Sequence, residues 1–255
     1  MLKYINSFKG NTIEDIDEFG VEIINQYHLK LKESGRYSLS TLNQSVNAIK
    51  FYYEEVVKRQ LEELDQVIRP RKEHRLPNIL SEGDIRSIIK QITNLKHRTI
   101  ILLIYSAGLR ISEAINLKIS DINSKRGLIL IRGSKGKKDR YTILSEKLLQ
   151  LLRKYYVAYR PKEYLFEGNM GEKYSAASIR KILRTAMENA GIGHRATVHT
   201  LRHSFATHLL EQGTDLRFIQ ELLGHNSSKT TEIYTHVSNY KINELGSPID
   251  DIKLE

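Results

Sequence analysis

The 255-residue sequence contains no cysteine, which excludes disulfide bridges and any zinc site built on thiolates. That absence suits a reducing cytoplasm, where the chain is placed. Long hydrophobic runs are missing too. The longest, Ile100 to Tyr105, is far too short to span a bilayer, so no membrane partner is expected. The opening MLKYINSFKG holds no apolar signal-peptide core. Neither an internal repeat nor a low-complexity tract is present. Acidic residues are the minority charge, and no cluster of them suggests a metal. What is abundant is positive charge: 40 Lys and Arg against 30 Asp and Glu, net +10, with a pI near 9.5. Such a balance favours a polyanion, because each phosphate neutralised by Lys or Arg releases condensed counterions. Nucleic acid is the first candidate. A basic surface that merely keeps the chain soluble would look the same in composition, so motifs must decide.

Apolar content of 40% supplies ordinary cores for one large domain or two modest ones. Thr12 with Asp15 forms a capping pattern, and Ile16, Phe19, Ile23 and Tyr27 follow at helical spacing up to Gly35. A second helix starts near Ser40 and carries Leu42, Val46, Ile49, Tyr53 and Val56 on one face. Pro70, Pro77 and the run RPRKEHR then mark an exposed basic linker. Ser81 and Asp84 make a capping box that opens a second domain. IILLIY reads as a buried helix. A short helix carrying Leu117 follows Gly108, and GLILIRG and RYTIL flank SKGKKD as two strands of a basic hairpin. Further helices are expected from Glu146 to Tyr159, Ser175 to Ala190, Thr200 to Gln212 and Leu216 to Leu223, with a last one holding TTEIYTH. The expected fold is mainly α (α+β): a helical N-terminal domain over 1–68, a linker over 69–78, and a mostly helical domain with a small antiparallel sheet over 79–255.

Several polar residues stand at places where helices begin or stop. Arg110 follows a glycine at a helix junction in SAGLRISEAINL, with Glu113 three residues on to orient it. His199 and Arg202, three apart in HTLRHSFATHLL, can point the same way from one helical turn. A zinc reading of His199 and His203 lacks the intervening Glu that metalloproteases require. His225 stands where Gly224 stops a helix, and Tyr234 comes nine residues later, one of 14 tyrosines. Lys135 sits in the hairpin turn. Individually each has an ordinary explanation as a core or surface residue. Together they fit metal-free phosphodiester transfer, whose transition state spreads negative charge over non-bridging oxygens. Two Arg forks stabilise those oxygens, and a His adds a donor. A tyrosine of pKa near 10 needs a proton acceptor and the departing 5′ oxygen a donor, roles open to His199 and Lys135. No cofactor is required.

Arg110, Lys135, His199, Arg202, His225 and Tyr234 fall in the order, and inside the local sequences, of the tyrosine recombinase (phage integrase) family, which the chain resembles from about Ser40 to Pro248. LRHSFATHLL and LLGH followed by TTEIYTH carry that resemblance. It implies that Tyr234 is the nucleophile, that Arg110, Arg202 and His225 bind phosphate, that Lys135 is the general acid, and that His199 assists proton transfer with Glu113 in support. It also implies a core-binding (SAM-like) domain over 1–68. SLSTLNQSVNAIKFYYEEVV looks like a core-binding helix of Xer and integron integrases, which makes Asn43 and Lys50 DNA-contact candidates beside Arg69, Arg71, Lys72, Arg75, Lys137, Lys138 and Arg140. The stretch from Ala190 to Val198 is too short for the extra helix of integron integrases, so Xer-like double-stranded sites are expected. Only two long helices are legible in 1–68, fewer than the family's domain carries, so the chain is expected to begin inside that domain. The implied protein is a monomer in solution that assembles as a homotetramer on two paired DNA sites and exchanges strands through a four-way junction. A type IB topoisomerase, using a similar nucleophile to relax DNA, is the alternative; a non-catalytic regulator and a metal-dependent nuclease rank below it.

Overall fold

The computed structural model describes residues 21–58, 77–133, 139–193, 196–225 and 227–235. The chain divides into two compact units, Met1–Arg75 and Leu76–Glu255. In the first unit, helix α1 (Val21–Glu33) pairs with α2 (Leu39–Phe51), whose start is fixed by the Ser38 side chain accepting from the Thr41 amide at 3.2 Å. Their apolar contact is made by Ile24, Val46, Ile49 and Tyr53. Two expectations shift here. The buried stripe of α1 runs through Ile24 and His28, one step around from Ile23 and Tyr27, and His28 Nε2 reaches Ser45 Oγ at 3.3 Å. Val56, expected on the buried face of α2, is 61% exposed because the helix continues as a π turn over Tyr52–Val56. Its i to i+5 bond, Val57 N to Tyr52 O at 3.0 Å, widens the turn so that Val57 rather than Val56 packs against the apolar cluster. The capping pattern at Thr12 and Asp15, the linker residues 69–76 and the tail from 237 onward lie outside the described residues.

The second unit is built around α4 (Leu95–Ser106), whose Thr99, Ile100, Ile101, Leu103 and Ile104 are all buried. It packs against α3 (Glu82–Lys90), α5 (Ile111–Asn116), α6 (Glu146–Tyr159), α7 (Ala176–Asn189) and α8 (Val198–Glu211). The capping box at Ser81 is formed in both directions, with Ser81 Oγ accepting from Asp84 N at 3.1 Å and Asp84 Oδ2 from Ser81 N at 3.0 Å. Strands β1 (Ile122–Asn123), β2 (Leu128–Ile131) and β3 (Arg140–Ile143) form an antiparallel sheet in that order, with Ile131 opposite Arg140 at the base of the hairpin. The two-residue β1 was missed because so short a strand shows no alternation of apolar and polar residues. Helix α9 (Leu216–Leu223) is stopped by Gly224 at φ +64°, as its sequence indicates. The last helix is shorter than expected. It covers Lys229–Glu232 as α10, and Tyr234 stands just beyond it, its amide bonded to Thr231 O at 3.0 Å. No helix among the described residues is long and apolar enough to cross a membrane.

Candidate active site

Gly108 ends α4 at φ +62°, and a Cβ there would run into the Phe205 ring, so the junction needs glycine. The turn places Arg110 at the N-cap of α5. Its amide and its Nη1 both donate to Glu113, at 2.8 Å each. Glu113 is also gripped from the sheet, where Arg140 Nη1 and Nη2 meet its two oxygens at 2.7 and 2.8 Å, a bidentate fork. Arg202, on α8, stands 3.6 Å from the same carboxylate. Burial alone would raise the Glu113 pKa, but Arg140 and then Arg110 outweigh it and pull it down to about 2. The group is an anion at neutral pH, set among three guanidiniums.

Arg202 is fully buried, and its hydrogen bonds tie two loops together. Nη1 donates to Gly108 O at 2.7 Å, just ahead of Arg110, and Nη2 to Leu223 O at 2.6 Å, just ahead of His225. Nη2 also reaches His225 Nε2 at 3.2 Å. A guanidinium has no acceptor, so His225 Nε2 accepts, Nδ1 carries the ring proton, and that proton goes to Thr231 Oγ1 at 2.9 Å. Burial, then the charges of Arg202 and Arg110, push His225 down to about 3, in keeping with a neutral ring. Burial lowers Arg202 to about 9, which leaves it a cation at neutral pH. Among the described residues its Nε has no hydrogen-bond partner.

Tyr234 is 1% exposed and packs among Phe205, Ala206, Leu210, Ile219 and Leu223. Its ring lies nearly parallel to that of His225, at 18° and 6.4 Å between centroids. Burial pushes the phenol up to about 12, against the pull of Arg202 and Arg110. The hydroxyl lies 3.0 Å from Nδ1 of His203, whose ring meets that of His199 edge-on at 4.4 Å. His199 is lowered by desolvation and by Arg202 and Arg110; His203 falls to about 4 by burial, then by His199 and Arg202.

The structure therefore brings Arg110, Glu113, Arg202, His225 and Tyr234 into one cluster, with His199 beside it. Lys135, Lys137, Lys138, Arg69, Arg71, Lys72 and Arg75 lie outside the described residues. Asn43 and Lys50 are half-buried on α2 of the first unit, where Asn43 Nδ2 donates to Leu39 O at 3.1 Å. Arg140 is corrected: expected to face DNA, its side chain is only 8% exposed and is held by Glu113 and by Leu222 O, which Nε meets at 2.8 Å. Sequence reasoning weighed His203 only as a metal ligand, although its four-residue offset from His199 already put it on the same helix face. It also passed over Arg180, Lys181 and Arg184, exposed on α7. With Arg110, Ser112 and His199 they line a cleft of about 740 Å³, and their 180, 181, 184 spacing was the available signal.

Residues 78–241 match the model of the phage integrase family, and residues 2–63 that of the phage integrase N-terminal SAM-like domain. Tyrosine recombinase XerA of Pyrococcus furiosus is 40% identical over 222 residues, covering 84% of this chain and 76% of its own. Tyrosine recombinase XerD of Staphylococcus epidermidis is 32% identical over 258 residues, covering 95% and 87%. Among solved structures, XerA recombinase is similar at a TM-score of 0.60 and 31% identity, covering 93% of this chain and 84% of its own. A post-cleavage complex of XerH bound to its palindromic difH substrate shares the fold at 0.79 and 23% identity, covering 97% and 77%.

Proposed function

Because the chain belongs to the phage integrase family and is a tyrosine recombinase, an enzyme of DNA strand transfer, we propose that it is a site-specific recombinase that cuts double-stranded DNA through Tyr234. The Tyr234 oxygen attacks the scissile phosphorus, forming a 3′-phosphotyrosyl bond and releasing a 5′-hydroxyl. Arg110 and Arg202 stabilise the charge on the non-bridging oxygens, Lys135 gives the 5′ oxygen its proton, and His199 assists proton transfer. His225, whose Nε2 accepts from Arg202 Nη2 at 3.2 Å, is assigned to the phosphate-binding group and to orienting the Arg202 fork. The phosphotyrosyl bond retains the phosphodiester energy, so a second DNA hydroxyl can reverse the step without ATP or metal. The observation that carries the reading is the contiguity of the cluster: Arg110 to Glu113, Glu113 to Arg202, Arg202 to His225, and His225 stacked on Tyr234.

DNA contact is supported by the basic cleft of α7, which opens beside Arg110 and His199. The solved XerH and Tn1549 integrase complexes with DNA support the same partner. Action on paired sites as a homotetramer, with exchange through a four-way junction in the cytoplasm, completes the proposal. Incubation with a nicked suicide substrate in the presence of EDTA should trap a denaturant-resistant protein–DNA adduct that peptide mapping places on Tyr234. Tyr234→Phe should bind the DNA and form no adduct. An adduct on another tyrosine, or one surviving in Tyr234→Phe, would sink the assignment.

A further inference from the structure

Tyr234 stands beyond the end of a four-residue helix, so the backbone around it offers little to fix the direction of its hydroxyl. The ring is gripped by apolar neighbours, which resist translation but are indifferent to where the O–H points. Among the described residues, the contact that removes that freedom comes from Nδ1 of His203 on the long and well-packed α8. His203 is next in sequence to Arg202, so the residue that meets the phenol and the residue that joins the two phosphate-facing loops share one rigid element.

Resting on the proposed role of Tyr234, we infer that His203 is a positioning residue that aims the nucleophile: Nδ1 accepts the phenolic hydrogen bond and fixes the Tyr234 oxygen relative to Arg202. With the phenol as donor, the His203 proton sits on Nε2, and the lone pairs of the Tyr234 oxygen face away from α8. The wide separation of the two groups, His203 at about 4 and Tyr234 at about 12, keeps the proton on the phenol in the DNA-free enzyme, so the contact is a neutral hydrogen bond. Its value is directional. Misplacing a reacting atom by about 1 Å costs on the order of 100-fold in rate. His203 itself needs no contact with DNA for this.

The experiment is single-turnover cleavage of the nicked suicide substrate by the full chain, comparing wild type with His203→Ala and His203→Asn. Asparagine keeps an acceptor oxygen near the place of Nδ1 and has no basic nitrogen. His203→Ala should cleave about 10- to 100-fold more slowly at unchanged DNA affinity. His203→Asn should recover most of that loss, which a change confined to folding would not produce; urea midpoints of all three check the fold. Cleavage by His203→Ala as fast as wild type would remove the role, and faster cleavage would make the contact a restraint. Asparagine as slow as alanine would show that basicity, not aim, is what His203 supplies, and would overturn the assignment. An adduct on Tyr234 with equal rates in all variants refutes this inference alone, whereas absence of a Tyr234 adduct in the wild type refutes the reading beneath it.

Discussion

Replacing Glu113 with glutamine perturbs the cluster at its centre. The carboxylate accepts from Arg110 and Arg140 and stands 3.6 Å from Arg202, with its side chain 7% exposed, so solvent screens these interactions little. Burial opposes ionisation, yet the arginines hold the pKa at about 2 against an ordinary 4.5. At about 1.4 kcal/mol per pH unit, that difference makes the charged form worth about 3 kcal/mol of folding free energy at neutral pH. The direction follows from the depressed folded-state pKa: the contribution is complete above the unfolded value of 4.5 and is lost as the pH falls through 4.5 toward about 2. Glu113→Gln should therefore be destabilised by about 3 kcal/mol at pH 7, with the gap narrowing to about 2 kcal/mol at pH 3.5. Stranding three guanidiniums without a counter-charge acts in the same direction. Urea unfolding followed by tyrosine fluorescence at the two pH values measures both quantities. A variant within about 0.5 kcal/mol of wild type at pH 7, the range of an ordinary surface change, would refute the reasoning. So would a gap that does not narrow in acid.

Arg202→Lys should lose about 100-fold or more in single-turnover cleavage with DNA affinity nearly intact, since one ammonium cannot meet Gly108 O, Leu223 O and His225 at once; a near-normal rate would remove the geometric argument. For Lys135, replacing the bridging 5′ oxygen of the substrate by sulfur should restore cleavage by Lys135→Ala, because a thiolate departs without an acid, while Arg202→Ala should gain much less. Equal rescue of both variants, or of neither, would move the acid to Lys137 or Lys138.

Helix limits were legible wherever a cap or a glycine wrote them into adjacent residues. Ser81 with Asp84 opens α3, Gly224 closes α9, and Glu146 to Tyr159 is a helix end to end. These signals work because capping is a contact between near neighbours in sequence, decided before tertiary structure exists. The site strings were legible for a similar reason: LRHSFATHLL lies within one continuous helix and LLGH is a helix stop, so each fixes locally which side chains leave together. Where the periodicity misled, at Val56, the cause was a π turn that no residue type announces.

Side-chain destinations are a different kind of fact. Arg140 read as one more cation of a basic hairpin, yet the carboxylate it grips is 27 residues back in sequence and the carbonyl it meets is 82 residues ahead. A guanidinium on a two-sided hairpin can turn to solvent or inward, and the choice depends on whether a buried anion waits there, which is settled only when α5 and β3 meet. His203 is the converse case. Its helical phase beside Arg202 was visible, but its partner stands 31 residues on, past a glycine stop and a short helix whose length the sequence overstated. The family's named residues are thus the part of the site that local strings can carry. Beyond the local Arg110–Glu113 pair, the contacts that aim and brace them, Arg140 on Glu113 and His203 on Tyr234, form between elements, and so it is there that changing one side chain should separate cleavage rate from DNA affinity.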